Sequence, residues 1–188
     1  MPDGSVVAAG DVAAAADRIG FPVTLKALGL AHKSEAGAVK VGIRDHDALA
    51  AALTAMPDTG AGFLVESTVT DIVAEVLVTV RRDAPIGWLV TLGHGGVTTE
   101  LWGDVAHLLA PVTPDDVRTA LGTLRSAPLL HGFRGRPAAD VDALADLVVR
   151  LTAAVVGSDI VEIELNPVLV GARGATAVDA LLIVEDSK

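Results

Sequence analysis

The chain has 188 residues, 51% hydrophobic and only 3% aromatic, enough to bury a core built from many small aliphatic contacts. A formal charge of -10 and a pI of about 4.7 argue against nucleic acid and anionic membranes as partners, and leave any anionic ligand dependent on locally placed lysine or arginine. The absence of cysteine excludes disulfides and thiolate metal sites; no apolar run reaches the roughly 18–20 residues of a membrane span and MPDGSVVAAG does not read as a signal peptide, so the expected location is the cytoplasm.

Asp11 opens a helix whose apolar positions Val12, Ala15, Ala16 and Ile19 share one face, and Gly20 and Pro22 stop it. Pro22 to Leu28 reads as a buried strand and residues 29–37 as a glycine-bearing, charged loop. Ala38 to Ile43 alternates, which predicts a second strand with Val39, Val41 and Ile43 on one face. Asp45 to Met56 is a helix and Gly62 to Glu66 a short strand. Val73 to Val80 and Ile86 to Leu92 are strongly β, joined by a turn over Arg81 to Pro85, and a strand-like piece runs from Gly96 toward Glu100. Thr113-Pro114-Asp115-Asp116 is a helix start, with an N-cap, a proline in the first turn and acids behind it. Leu130 to Pro137 is a basic loop, Asp140 to Val156 a long helix, and Ile160 to Val170 and Ala175 to Val184 are strands around the turn Gly171 to Gly174. Adjacent strand pairs mixed with helices predict an α+β fold in two lobes, residues 1–68 and 69–188.

Three places carry candidate chemistry. Lys26 lies inside the apolar run PVTLKAL, either snorkelling from an edge strand or aimed at an anion in a cleft. In the loop behind it, Gly29 and Gly37 let backbone N–H groups approach phosphate oxygens and Lys33 adds charge. His32 is a surface histidine, a general acid or base, or a nucleophile that carries a phosphoryl group. Glu75, in VAEVLVTV, faces a cleft or pairs with Arg81 or Lys26; Gly93-His94-Gly95-Gly96 is a tight turn or a place where backbone meets ligand. In the last hairpin, Glu162, Glu164 and Asn166 point one way while Val161, Ile163 and Leu165 point the other. If Val170 pairs with Ala175, Asn166 lies opposite Asp179, with Cβ atoms about 5 Å apart. Those oxygens either line a solvent-facing hairpin or hold one Mg²⁺ that keeps its other ligands as water and phosphate.

The stretches GFPVTLK, HKSEAGAV, VAEVLVTVRRD, GHGG with Glu100, Asp104 with APV, LLHGFRGRP, and VEIELNP with AVDA together resemble the ATP-grasp domain of NDP-forming acyl-CoA synthetases, such as the β subunit of ADP-forming acetyl-CoA synthetase. More distantly they resemble the succinyl-CoA synthetase β subunit. The resemblance runs from about Asp11 to Val184 and implies an ATP-grasp fold, shortened at its start, with ATP or ADP and Mg²⁺ clamped between two lobes. It implies Lys26, Lys33, Gly37, Glu66, Glu75, Gly95 and Gly96 as nucleotide-binding residues, and Asn166, Asp179 and Glu164 at the metal. It also implies His32 as a phosphate relay, and a CoA-binding subunit or domain as partner; homo-oligomerisation is left open. Ala38 stands where the family has a glycine and Leu108 where an arginine is common, which removes one expected anion contact. The alternative expectation is a non-catalytic nucleotide-binding or assembly module of a larger synthetase-like protein.

Overall fold

The structure, a computed structural model, describes residues 1–30, 36–97 and 99–185. They form two compact units, Met1–Thr70 and Asp71–Lys188.

The first unit holds β1 (Gly4–Val7), α1 (Val12–Ile19), β2 (Val23–Ala27), β3 (Val39–Ile43), α2 (His46–Ala55) and β4 (Phe63–Ser67). Its antiparallel sheet has the order β1-β4-β2-β3. Ala15 and Ala16 are fully buried, so the small face of α1 lets the helix backbone approach the sheet residues Leu25, Phe63 and Val65. Gly20, at φ 87°, ends α1 with its N–H on the Ala16 carbonyl. The Asp45 carboxylate caps α2 by accepting from the Ala48 N–H at 2.8 Å. β3 departs from simple alternation. Val23 faces Ile43 but Leu25 faces Lys40, so β3 carries an extra residue at Val41-Gly42, where Gly42 takes φ 73°. Ile43 therefore packs into the core while Val39 sits beside Lys26 on the other face and Val41 is exposed.

The second unit holds β5 (Ala74–Asp83), β6 (Gly87–His94), α3 (Thr99–Trp102), β7 (Val105–Leu109), α4 (Pro114–Thr123), α5 (Ala127–Leu130), α6 (Val141–Val155), β8 (Ile160–Val170), β9 (Ala175–Ala177) and β10 (Ala180–Val184). The sheet order is β10-β8-β5-β6-β7, with β9 also on β8, and all its ladders are antiparallel. α4 and α6 cover one face, where Val78, Val90, Leu92, Leu121, Leu144 and Val148 form the core. A full capping box starts α4: Asp116 N–H donates to Thr113 Oγ1, and Thr113 N–H donates back to the Asp116 carboxylate. Asp140 caps α6 and also accepts from Gly174 N–H at 2.9 Å, tying the helix start to the β8–β9 turn. Asp71 accepts from Ala172 and Arg173 N–H in the same turn.

The sequence reading changes in further places. β5 runs through Arg81, Arg82 and Asp83, leaving only Ala84 to Ile86 as the turn, because Asp83 still faces Gly87. The stretch toward Glu100 contains the helical turn α3, and the strand comes later as β7. The first strand β1 and the short α5 carry too little periodic signal to be read from sequence. The last strand is broken into β9 and β10 at Val178-Asp179.

Candidate functional site

Lys26 is not on an edge. β2 lies between β4 and β3, and Lys26 and Glu66 are diagonal neighbours, since Thr24 faces Glu66 and Lys26 faces Leu64. Lys26 Nζ and Glu66 Oε1 meet at 2.5 Å with side chains 7% and 3% exposed. Two charges removed from water this far are tolerated only together, so each fixes the other in place. Gly4 faces Glu66 with no room for a side chain: a Cβ there would stand 2.9 Å from Glu66 Cβ. Gly37 is exposed, takes φ 66° and has open space around its missing Cβ, so glycine is required there by the backbone angle alone. His32 and Lys33 lie outside the described residues. The Ala38 methyl is fully buried in the first unit's core, and the Ala38 carbonyl accepts from Ala27 N–H at 2.9 Å.

In the second unit, four of the expected residues come together. Gly95 N–H donates to the Glu75 carbonyl at 2.9 Å, and a Cβ on Gly95 would lie 2.6 Å from the Val76 backbone. Gly96 takes φ 84°, and a Cβ there would run into the Glu75 carboxylate. Gly96 N–H donates to Asn166 Oδ1 at 2.9 Å, and Thr99 Oγ1 closes the turn on the Gly96 carbonyl at 2.6 Å. Gly95 and Gly96 are thus glycines for close approach, and they join Glu75 to Asn166. Of the other charges weighed for Glu75, Arg81 pairs with Asp83 and Lys26 with Glu66.

Asn166 is placed by an irregularity in β8. Val76 faces Val168 but Val78 faces Leu165, so Asn166 and Pro167 together oppose Leu77. On the other side of β8, Val168 faces Ala177 and Leu165 faces Ala180 in one continuous register, which sets Asn166 across from Asp179. Glu164 is half-buried two residues before Asn166, facing Thr79 on one neighbour and Leu181 on the other. Among the described residues no three His, Asp or Glu side chains gather into a metal cage. An amide and a carboxylate on adjacent strands, with Glu164 nearby, instead suit an ion that keeps most of its ligands as water or phosphate, which is the habit of Mg²⁺. Asn166 Oδ1 uses one lone pair on Gly96 and keeps the second.

Two further features emerge only from the structure. Leu108 faces Val90 and packs on the core, so the leucine belongs to the helix-covered side; the neighbour presented on the open face is His107, bonded to Thr91 Oγ1 at 3.0 Å. Asp104 is 7% exposed, and its carboxylate accepts from Arg125 N–H at 2.9 Å and Ser126 N–H at 2.8 Å. Burial pushes its pKa up, but the Ser126 side chain, the two backbone N–H groups and the Arg125 charge outweigh that and hold it below the usual carboxylate range. The Asp104 carbonyl accepts from His94 N–H at 3.1 Å. Asp104 therefore couples the glycine turn to the start of α5. The signal available in sequence was one acid among apolar neighbours in GDVAHLL.

A family profile described as ATP-grasp domain matches residues 2–184. The chain is 36% identical over 200 residues to a trans-feruloyl-CoA synthase from an unknown prokaryotic organism, covering 98% of this chain and 28% of that protein. It is 33% identical over 177 residues to the β subunit of acetate–CoA ligase [ADP-forming] I from Pyrococcus furiosus, covering 88% of this chain and 76% of the subunit. Among solved structures, the acetyl-coenzyme A synthetase 1 of Ca. Korarchaeum cryptofilum in complex with coenzyme A, Ca-AMPCP and HgCl⁺ superposes with a TM-score of 0.87 at 28% identity, covering 98% of this chain and 86% of that one. These matches agree: the chain belongs to the ATP-grasp family, and its domain matches the β subunit of ADP-forming acetyl-CoA synthetases.

Proposed function

We propose that this chain is the nucleotide-binding part of an ADP-forming acyl-CoA synthetase, acting with a CoA-binding subunit or domain. The observation that carries the reading is the link from Glu75 through Gly96 to Asn166, opposite Asp179, which joins groups suited to a sugar hydroxyl and to a divalent cation. It is supported by the Ca-AMPCP named with the Korarchaeum structure. Mg²⁺ bound at Asn166 and Asp179, with Glu164 beside them, would neutralise the phosphates of ADP or ATP. Glu75 would accept from a ribose or base donor, and Gly95 and Gly96 would let the nucleotide approach the backbone. Lys26, Lys33 and the loop amides around Gly37 would face phosphate oxygens, with Glu66 holding Lys26 in orientation. His32 would relay the phosphoryl group: its ring N–P bond breaks as a terminal oxygen of ADP forms the new O–P bond, leaving neutral imidazole and ATP.

A second reading, a non-catalytic nucleotide-binding or assembly module, is favoured by the Ala38 methyl, which is buried in the first unit's core where the resemblance expects a glycine. Calorimetric titration with Mg·ADP tests nucleotide binding in both readings. Binding is expected in the millimolar range or tighter and should weaken at least about tenfold, or 1.4 kcal/mol, in Asp179→Ala. A flat titration at millimolar nucleotide would refute the catalytic reading and leave only the assembly form of the second. Mixing with a CoA-binding partner and labelled acyl phosphate then separates them, since only the catalytic reading puts label on His32.

A further inference from the structure

We propose that the turn from Phe133 to Arg136 is a preformed docking tip for a partner protein that presents carboxylates beside an apolar surface. Arg136 N–H donates to the Phe133 carbonyl at 3.2 Å, closing a four-residue turn. Its two central residues, Arg134 at φ 51° and Gly135 at φ 81°, both take positive φ, as in a type I′ turn. Glycine, asparagine and aspartate suit the first of these places, where any other Cβ is sterically costly. Arg134 is the single non-glycine residue at positive φ among the described residues. Its guanidinium lies over the Phe133 ring, 5.2 Å from the centroid. A Cβ on Gly132 would stand 2.9 Å from the Arg136 carbonyl, and the Leu130 carbonyl accepts from Ala139 N–H at 2.8 Å, so the loop is folded tightly on itself. Backbone strain held in this way collects where a side chain clamps a ligand or partner.

Charge and shape decide the occupant. Arg81, Arg82, Arg118 and Arg125 each pair with a carboxylate, whereas Arg134 and Arg136 have none in reach among the described residues. Arg136 donates to the Ile72 carbonyl, at 3.4 Å. The acids beside these contacts are engaged with backbone: Asp71 accepts from Ala172 and Arg173 N–H, and Asp140 from Ala143 and Gly174 N–H. In a chain of net charge -10, the tip is thus a local reversal of sign. Residues 133–136 are all exposed, so the turn projects, whereas sites for small ligands are concave. Arginine and aromatic side chains are enriched in protein interfaces, and a guanidinium braced on a ring keeps its edge free for a bidentate carboxylate. Neither nucleotide nor metal is needed for this contact, so it is tested independently of the nucleotide reading.

Arg134→Gly removes the charge and suits the turn better than arginine does. The probe is the peptide acetyl-Asp-Glu-Phe-Glu-Asp-amide, with acetyl-Asn-Gln-Phe-Gln-Asn-amide as its neutral match and inorganic phosphate as a small anion. In ¹⁵N-labelled protein, the side-chain Nε–Hε signals of Arg134 and Arg136 report contact at the tip. That of Arg150, exposed on α6, reports non-specific attraction. The acidic peptide should shift Arg134 and Arg136 saturably and leave Arg150 in place, and the neutral peptide should shift none of them. Followed at Arg136, Arg134→Gly should weaken the acidic peptide by about fivefold, the loss of one exposed charge pair. Its urea midpoint, read by tryptophan fluorescence, should stay the same or rise. No saturable shift at the tip, equal shifts at Arg150, phosphate binding as tightly as the peptide, or a lower urea midpoint in Arg134→Gly would each overturn the proposal.

Discussion

Asp104→Asn isolates the buried carboxylate that joins the glycine turn to α5. The aspartate accepts two backbone N–H groups at 2.9 and 2.8 Å, one on each oxygen. An asparagine of the same shape accepts only one and turns its own NH₂ toward the other, so one charge-assisted bond is lost and one buried donor is left without an acceptor. That loss is worth about 1.5–3 kcal/mol. Trp88 and Trp102 both lie in the second unit, so tryptophan fluorescence follows the unfolding of that unit. With a urea slope of roughly 1–3 kcal/mol per molar, the midpoint should fall by about 1 M. The pH dependence has a definite sign. The folded Asp104 pKa lies below the unfolded one, so its contribution is fully present above the unfolded value of about 3.9 and is lost as pH falls through the folded value. The difference between wild type and Asp104→Asn should therefore be constant near neutrality and close in acid. Superimposable urea curves at pH 7, or a gap that stays undiminished in strong acid, would refute this account of Asp104.

Lys26→Met leaves Glu66 buried without its cation and should cost about 3–5 kcal/mol, whereas Lys26→Met with Glu66→Leu should recover most of it; the first unit has no tryptophan, so its unfolding is read as the part of the far-UV circular dichroism change in urea that the tryptophan signal of the second unit does not follow. Both variants should lose affinity for Mg·ADP in calorimetry, which separates stability from binding. Gly96→Ala imposes a Cβ at φ 84° against the Glu75 carboxylate, so it should destabilise the second unit by about 1–3 kcal/mol and weaken Mg·ADP binding, checked by fluorescence melts and titration. Asp140 is held below the usual carboxylate range by Ala143 N–H and then Gly174 N–H. Its contribution is likewise present above the unfolded carboxylate pKa and lost through the folded value, so Asp140→Asn should flatten the acid limb of the stability profile measured by fluorescence.

Much of the fold was legible because periodicity and caps are local. Thr113 to Asp116 announced α4, and Asp45 and Asp140 announced α2 and α6, each by a side chain bonding its own first turn. The hairpin register was legible for the same reason: the loop Gly171 to Gly174 fixes Val170 on Ala175, and everything behind it follows. What was not legible depends on distant partners. Val41 looked inward by alternation, but the extra residue at Gly42 turns it out. Lys26 could be read as an edge residue or as a cation in a cleft, because nothing local says that β4 will bring Glu66 to it from forty residues away. Leu108 stands where the resemblance expects an arginine, and the packing of its side chain is set by a neighbour strand, since β6 places it opposite Val90 on the core side. Gly95 and Gly96 were recognisable as special, but their reason, the Val76 backbone and the Glu75 carboxylate, lies on another strand.

The central claim is that a metal–nucleotide complex binds at the Asn166–Asp179 hairpin beside the Gly96 turn. Substituting Mn²⁺ for Mg²⁺ makes that position readable, because paramagnetic relaxation broadens NMR signals near the bound ion. Adding Mn·ADP at a small fraction of the protein concentration should selectively broaden the backbone amides of Gly96, Asn166 and Asp179 and the Asn166 side-chain amide. Excess Mg·ADP should restore them. Broadening centred elsewhere, or none when calorimetry shows the nucleotide bound, would contradict the account.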